Sequence, residues 1–462
     1  MNTFSKTKLI ATNGPSLDNY LKISIVDDQL KEAEDSIDQF LKLQQSGVNV
    51  IRFNMSHETM VNHKLRFDAY RRFSKTTKIP LGILIDTKGP EIRVGPIQTD
   101  NLELNTINKN DTVTLFTNKH NFIGNSSSFV VSDITKKYNL AIDVQQGDEI
   151  LVDDGKLILK VISSNPENGV IETQSQTEKY TIKKNKRINL FNKKYSLPFL
   201  SEYDIETIKS AVEWDADFLA LSFLSNVDEL NEVKQIIKKK NPNSQIKIIC
   251  KIESYEAIQN LESLVMNSDG IMVARGDLAL EIGYELVPVI QDRILQLCNK
   301  HNKISIVATQ MLDSLETKIL PTRAEVTDCY YAVKSLADST MLSSESAASI
   351  NSLNSVQVMK KITNYAESNL EIFSSFNFER SYYESKLEKK LISKIEKLAI
   401  GKKQILLDGF LEEEIRLISS TLLNRSFFIN PNNYPNITKF TLYKNLNFIN
   451  EEQTENIYVI KK

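Results

Sequence analysis

Short, uninterrupted apolar runs recur along the chain at residues 8–12, 48–53, 81–86, 217–223, 246–252, 270–274, 304–308 and 339–342. A strand with one face in water alternates apolar and polar residues. These runs do not alternate, so each reads as a strand covered on both faces. Most are separated by stretches with apolar residues at helical spacing and a polar opposite face, roughly 30–46, 58–76, 202–213, 227–240, 255–265, 283–300 and 322–336. Eight buried strands interleaved with helices predict an α/β fold, a (β/α)8 TIM barrel. An open doubly wound sheet is the alternative, and no Gly-rich dinucleotide turn supports it.

One spacing breaks the rhythm. About 130 residues separate the third run from the fourth. Within that gap, residues 111–117, 128–132, 149–162 and 169–174 are β-type runs with turn residues between them. They predict a small β-barrel lid domain inserted after the third barrel strand. The expected domains are 1–89 and 192–360 for the two parts of the large barrel and 90–191 for the inserted lid. A short C-terminal α/β domain follows at 361–462, with runs at 405–407, 427–429, 441–443 and 457–460.

Composition narrows the function classes. A length of 462 residues, 41% hydrophobic and 25% charged, suits a soluble protein of two or three domains. The net charge of −2 gives no reason to expect nucleic acid or a membrane surface as partner. The residues from Met1 to Lys8 carry no apolar signal core, and no apolar run approaches the ~20 residues that span a bilayer. Cys250, Cys298 and Cys329 are odd in number and far apart, without zinc spacing, which favours a reducing, cytoplasmic setting.

Two of the apolar runs end in charge. Ile249-Cys-Lys-Ile-Glu-Ser254 brings Lys251 and Glu253, and Ile271-Met-Val-Ala-Arg-Gly-Asp277 brings Arg275 and Asp277. Residues two apart in an extended strand share a face, so each strand is expected to deliver a cation and a carboxylate together. Structural salt bridges are the bland explanation. The pattern extends further, however: Arg52, Asn54 and Ser56 follow the second run, and Asp86, Thr87 and Lys88 the third. Thr309 and Gln310 follow the seventh, and Ser343 and Glu345 the eighth. Barrel enzymes keep their chemistry at this rim.

The residue types constrain that chemistry. Glu253 and Asp277 offer two hard oxygen ligands suited to Mg²⁺ or Mn²⁺, with no His or Cys to suggest zinc. Arg52, Lys251 and Arg93 suit a phosphate-bearing substrate. Asn54, Ser56, Asp86 and Thr87 offer oxygens to a weakly hydrated monovalent cation. A metal, several cations and no evident nucleophile point to phosphoryl transfer by positioning and charge neutralisation.

At these residues the chain resembles the pyruvate kinase family. The matching stretches are Thr7-Lys-Leu-Ile-Ala-Thr-Asn-Gly-Pro15, Asn49-Val-Ile-Arg-Phe-Asn-Met-Ser-His57, Asp86-Thr-Lys-Gly-Pro-Glu-Ile-Arg-Val-Gly95 and Val152-Asp-Asp-Gly155. They continue with Lys251-Ile-Glu253, residues 269–282, Ala308-Thr-Gln-Met-Leu-Asp-Ser314, Pro321-Thr-Arg-Ala-Glu325 and Met341-Leu-Ser343. They fall in the family's order over most of residues 6–350. The resemblance implies a glycolytic transferase that moves a phosphoryl group from phosphoenolpyruvate to ADP, giving pyruvate and ATP. It implies a barrel, an inserted lid and a C-terminal domain, with Mg²⁺ (or Mn²⁺) and K⁺ as cofactors and a homo-oligomer, a tetramer in the family.

Carried over by resemblance, Glu253 and Asp277 bind the divalent metal that stabilises the enolate, and Lys251 neutralises the phosphoryl group in flight. Arg52 contacts substrate phosphate. Ala274, Arg275, Gly276, Asp277 and Thr309 line the substrate pocket, where backbone at 274–276 receives the carboxylate. Thr309 and Ser343 are candidates for the proton relay. Asn54, Ser56, Asp86 and Thr87 match the potassium site, and Glu91 the residue type that accompanies potassium dependence. Asn54, His57, Arg93 and Lys186 match nucleotide contacts.

The chain also departs from the family. Lys186-Arg-Ile-Asn-Leu-Phe-Asn192 lacks the usual Gly and Pro of the lid hinge, and Leu342-Ser-Ser-Glu-Ser-Ala347 lacks its turn glycine. Ala279 replaces a Gly, Ser225 stands where an Arg often follows, and 326–333 is bulkier than usual for a helix that forms a subunit interface. The C-terminal domain has no Ser/Thr/Gly-rich phosphate loop, and Glu412-Glu-Glu414 follows Asp408-Gly409. These departures motivate an alternative: a catalytically impaired relative kept as a regulatory or assembly protein.

Overall fold

The computed structural model of the chain describes residues 6–98, 103–369, 386–398, 404–421, 426–429, 441–443, 446–448 and 458–461. All eight continuous apolar runs become strands of one closed parallel barrel. In chain order these are Lys8–Thr12, Val48–Asn54, Gly82–Asp86, Phe218–Leu221, Lys247–Ile252, Gly270–Ala274, Ile304–Ala308 and Ser339–Leu342, the last pairing with the first. The lack of alternation has a direct cause. Outward residues such as Leu9, Ile51, Ile83 and Val273 pack on the surrounding helices. Inward residues such as Ile10, Val50, Leu84, Ile249, Met272 and Ile306 fill the barrel itself. This is the (β/α)8 TIM barrel expected.

Some helices differ from the periodic reading. The stretch 30–46 opens not as a helix but as a hairpin, Ile23–Val26 with Gln29–Glu32, and the helix is Ser36–Gln45. Asp27 and Asp28, with φ of 51° and 55°, make the hairpin turn that favours left-handed residues. The stretch 255–265 splits at Asn260 into Tyr255–Gln259 and Leu261–Asn267. A helix the pattern did not reveal, Arg275–Ile282, starts directly after the strand Gly270–Ala274.

Between the third and fourth barrel strands the chain forms a second closed barrel. Its seven strands are Ile92–Val94, Thr112–Phe116, Ser128–Ser132, Glu149–Val152, Leu157–Asn165, Val170–Ser175 and Arg187–Leu190. The single run expected at 149–162 is two strands. Asp153, Asp154 and Gly155, with φ of 53°, 58° and 79°, reverse the chain within it. The strands Ile92–Val94 and Arg187–Leu190 escaped the pattern because they are short and carry arginine.

The C-terminal segment forms a four-stranded parallel sheet in the order Leu446–Phe448, Ser426–Ile429, Gln404–Asp408, Tyr458–Lys461. The expected run at 441–443 is a turn, not a strand. Its apolar character has another origin, since Leu442 and Tyr443 are buried in the core that joins this sheet to the barrel interior.

Candidate active site

The charged residues expected at the rim meet at the C-terminal mouth of the large barrel. Asn54 and Asp86 end neighbouring strands and are register partners. Asp86 is fully buried and is the hub of the cluster. Arg52 Nε donates to its Oδ2 at 2.7 Å, and Arg52 also donates to Thr12 Oγ1 at 3.0 Å. Lys251 Nζ lies 3.2 Å from Asp86 Oδ1, donates to Ser222 Oγ at 2.6 Å and stands 3.4 Å from Glu253 Oε2. Burial alone would push the Asp86 carboxyl up, but Lys251 and then Arg52 outweigh it and hold the group below its usual range. Burial likewise works against the Lys251 ammonium, yet Asp86 and Glu253 lift it above the ordinary lysine value. Lys251 is therefore a fixed positive charge in a dry place.

Glu253 sits just past its strand and is 1% exposed. Its Oε1 accepts the Phe223 N–H at 2.6 Å, while Oε2 accepts no hydrogen bond among the described residues. Burial pushes its carboxyl up to about 7; Lys251 opposes that and the nearby Asp277 adds to it. Asp277 lies in the first turn of the helix Arg275–Ile282, and its Oδ1 is 2.7 Å from a guanidinium nitrogen of Arg187.

One expectation about this segment is corrected. Arg275 and Asp277 do not share a strand face, because the strand ends at Ala274 and both residues belong to the helix. Arg275 instead donates to Asp328 Oδ1 at 2.7 Å and to the Thr309 carbonyl at 2.7 Å. Its side chain braces the loop after the seventh strand, leaving the backbone at Gly276 facing Thr309. The Gly276 N–H donates to Thr309 Oγ1 at 2.8 Å, and that hydroxyl donates to the Ala308 carbonyl at 2.6 Å. Thr309 and Gln310 have φ of 68° and 53°, a costly conformation for non-glycine residues that surrounding structure must enforce.

The remaining residues spread around this centre. Ser343 follows the last strand, with its N–H donating to the buried Glu345 at 2.7 Å and its Oγ buried without a hydrogen-bond partner among the described residues. Asn54 Oδ1 accepts the Ser56 N–H at 3.2 Å, and His57 is exposed at the end of the same loop. Thr87 is tied to the fourth strand: its Oγ1 accepts the Ser222 N–H at 3.0 Å and its carbonyl accepts the Ser222 hydroxyl at 2.6 Å. Ala274 is buried at its strand end. Arg93 and Lys186 stand on the small barrel. Arg93 is forked onto Glu91 at 2.9 and 3.0 Å, and Lys186 reaches Asp153 at 2.7 Å.

Among the described residues no cluster of three or more His, Cys, Asp or Glu side chains is placed to hold a metal ion. A divalent ion at the mouth would have Glu253 and Asp277 as its carboxylates. The buried Glu253 Oε2, which accepts no hydrogen bond among the described residues and faces the Lys251 ammonium at 3.4 Å, keeps lone-pair capacity that would suit such an ion. Of the four residues expected at a monovalent cation, Asn54 and Asp86 are register partners at the ends of neighbouring strands, and Ser56 and Thr87 follow them in the chain. Arg187 and Ser344 stand at lost glycines without a positive φ, whereas Asn192, at the end of the hinge stretch, has a φ of 51° and takes the left-handed conformation that a glycine would adopt without cost.

Four residues of the mouth were not singled out as site residues from sequence. Ser222 follows the fourth strand and Thr12 ends the first, and their position at the rim was the available signal. Phe223 holds Glu253 from a φ of 58°. Arg187 sits next to the recognised Lys186, in the stretch that departs from the family.

The comparisons agree with this geometry. Residues 4–356 match the family model described as pyruvate kinase, barrel domain. The chain is 41% identical over 384 residues to the pyruvate kinase of Mycoplasma genitalium, covering 82% of this chain and 73% of that protein. It is 39% identical over 384 residues to the pyruvate kinase of Mycoplasma pneumoniae, with the same coverage. A crystal structure of a pyruvate kinase from Cryptosporidium parvum superposes with a TM-score of 0.84 at 28% identity, covering 97% of this chain and 88% of that one. With the barrel, the charged mouth and these likenesses in agreement, the chain belongs to the pyruvate kinase family.

Proposed function

We propose that the cluster of Arg52, Asp86, Lys251, Glu253 and Asp277 is the reaction centre of this enzyme. The reaction is phosphoryl transfer from phosphoenolpyruvate to ADP, giving pyruvate and ATP, the last step of glycolysis. The observation that carries the assignment is the Lys251 ammonium, held at 2.6–3.4 Å between Ser222 and the buried carboxylates of Asp86 and Glu253. A cation fixed in a low-dielectric site stabilises charge passing between donor and acceptor without reorganising.

Each residue has a role that follows from its place. Arg52, oriented by Asp86 and Thr12, binds the substrate phosphate, and Lys251 neutralises the phosphoryl oxygens as they leave. Backbone from Ala274 to Gly276, with Thr309, receives the substrate carboxylate, and Arg275 positions that backbone. Glu253 and Asp277 are the residues that hold Mg²⁺ or Mn²⁺, which when bound supplies a Lewis acid for the negative charge left on the substrate oxygen. Asn54, Ser56, Asp86 and Thr87 hold K⁺. Asn54, His57, Arg93 and Lys186 contact ADP, the last two from the small barrel, which acts as a lid excluding water so that ADP is the acceptor. Ser343 Oγ, buried with an open hydrogen-bonding capacity, joins the water chain that brings a proton to carbon. Thr309, already bonded at both ends, positions.

The division at 89/90, 191/192 and 360/361 is our domain assignment. Large apolar side chains exposed at Ile319, Leu320 and Ile350, beside the helix Arg323–Lys334, favour a homo-oligomer, and we assign the family's tetramer. We place the enzyme in the cytoplasm; no helix among the described residues is long and apolar enough to cross a membrane. Nothing in the comparisons favours a catalytically impaired relative. Initial rates of pyruvate formation from phosphoenolpyruvate and ADP, with Mg²⁺ and with or without K⁺, test the reading. Turnover is expected to need both ions and to be lost in Glu253→Ala. Turnover by Glu253→Ala at the wild-type rate would remove Glu253 from the metal site.

A further inference from the structure

The last strand of the small barrel brings a cation into the mouth that none of these roles uses. Arg187 stands directly opposite Arg93 in the ladder. Like charges at that spacing repel, and the pair persists because each arginine has its own acid. Glu91 takes the fork of Arg93, and Asp277 takes Arg187 at 2.7 Å. The Arg187 side chain is four-fifths buried, and its guanidinium lies over the Phe223 ring, 4.6 Å from the centroid. Phe223 is the residue whose N–H holds Glu253. One guanidinium thus touches one carboxylate of the pair and the residue anchoring the other.

We propose that Arg187 is an internal counter-ion for the Glu253–Asp277 pair, which it neutralises when no divalent ion is bound and for which it competes with that ion, so that ion binding is coupled to the seating of the small barrel. The proposal rests on the metal assignment made above. A positive charge in contact with Asp277 Oδ1 repels an incoming dication and occupies one of the oxygens it needs. Arg187 belongs to the strand Arg187–Leu190 of the small barrel, whereas Asp277 belongs to the large one. Displacing the guanidinium therefore releases a tie between the two barrels. The displaced group has somewhere to go. The Phe223 face remains available for a cation–π contact. The adjoining cleft is lined by Glu91, Glu229 and Glu256 among others. By linkage, whatever the ion does to the lid, the lid does to the ion.

The experiment is Mn²⁺ binding without substrates, read from the electron paramagnetic resonance signal of the free ion. Wild type, Arg187→Gln, Arg187→Lys and Glu253→Gln are compared. Removing the guanidinium charge is expected to tighten Mn²⁺ binding about tenfold, while Arg187→Lys, which keeps the charge, stays near wild type. Amide hydrogen exchange over residues 187–190 is expected to rise when Mn²⁺ is added to wild type, and to be already raised in metal-free Arg187→Gln. Equal or weaker Mn²⁺ binding by folded Arg187→Gln overturns the proposal. Should that variant not fold, Arg187→Met, which keeps bulk over Phe223, answers the same question. If Glu253→Gln binds Mn²⁺ as wild type does, the metal assignment fails instead, and this inference falls with it.

Discussion

Among single residues, Lys251 is the one whose chemistry has no substitute. Arg52 is committed to Asp86 and Thr12, and Arg187 to Asp277, so no other described cation is placed between Asp86 and Glu253. Lys251→Met keeps the aliphatic stem and removes the charge. Asp86 retains Arg52, so the barrel is expected to fold with a near-normal melting curve. Phosphoryl transfer should fall by about 10³-fold, the scale of losing a preorganised charge. Enolisation of pyruvate, followed as deuterium entering its methyl group, should persist in part because it does not move a phosphoryl group. A Lys251→Met variant with wild-type turnover would remove that residue from the reaction. Much of this centre was legible from sequence, because charged residues closing apolar runs are conspicuous and have few reasons to be there. What sequence hid was direction. The two-residue spacing of Arg275 and Asp277 suggested a shared face, but a helix begins at Arg275 and sends its side chain to Asp328. Ser222 and Thr12 escaped because neutral hydroxyls at strand ends look like ordinary polar caps.

Among elements, the seam between the small barrel's exit and the helix Arg275–Ile282 is held by a buried acid. Glu281 is fully buried; its Oε1 accepts the Tyr195 hydroxyl at 2.6 Å, and its carbonyl accepts the Asn192 N–H at 2.8 Å. Burial pushes its carboxyl up to about 8. With the folded value above the unfolded one near 4.5, the protonated form is the one the fold prefers. That stability is complete below the unfolded value and is lost as pH rises through about 8. Glu281→Gln keeps an oxygen acceptor and cannot ionise. Its melting temperature, relative to wild type, should therefore climb by about 3 °C or more as pH is raised across that window. A difference that stays flat with pH in scanning calorimetry would show that Glu281 does not titrate there. The seam also marks the limit of reading elements from periodicity. Runs buried on both faces were found at all eight barrel strands. The strands that close the small barrel were not, because Ile-Arg-Val and Arg-Ile-Asn-Leu are short and give only alternate side chains such as Ile92, Val94, Ile188 and Leu190 to the core, with arginine between or beside them.

For the molecule as a whole, the C-terminal domain grips the end of the barrel away from the chemistry. Its contacts fall at the starts of barrel strands. Lys8 Nζ donates to the Leu446 carbonyl at 2.5 Å, Glu412 pairs with Lys247 at 2.8 Å, and Thr441 packs against Gly82, which leaves no room for a Cβ. Glu412 also accepts the Tyr443 hydroxyl, so the acidic start of the helix Glu412–Thr421 serves docking and opposes a bound phosphate. Fructose 1,6-bisphosphate is accordingly expected to leave the rate at subsaturating phosphoenolpyruvate unchanged; strong activation would place an effector site there after all. The deepest tie is Arg416, which donates to both oxygens of Asp338 at 2.9 and 3.0 Å and to the Lys303 carbonyl at 2.8 Å, with its guanidinium over Tyr443. Both members of the pair are buried, so losing one leaves the other's charge poorly compensated. Arg416→Ala takes the guanidinium from a buried carboxylate that also accepts the Ser305 N–H and hydroxyl, and Asp338→Asn leaves a guanidinium in the core. Each is expected to cost about 3–5 kcal/mol in denaturant unfolding, and the double variant clearly less than the sum, because the second change relieves the charge the first exposed. Turnover at temperatures where the variants stay folded should match wild type, since Asp338 and Arg416 lie at the opposite end from Lys251. Strictly additive losses would mean that Arg416 and Asp338 contribute independently and that their ion pair is not what ties the C-terminal sheet to the barrel.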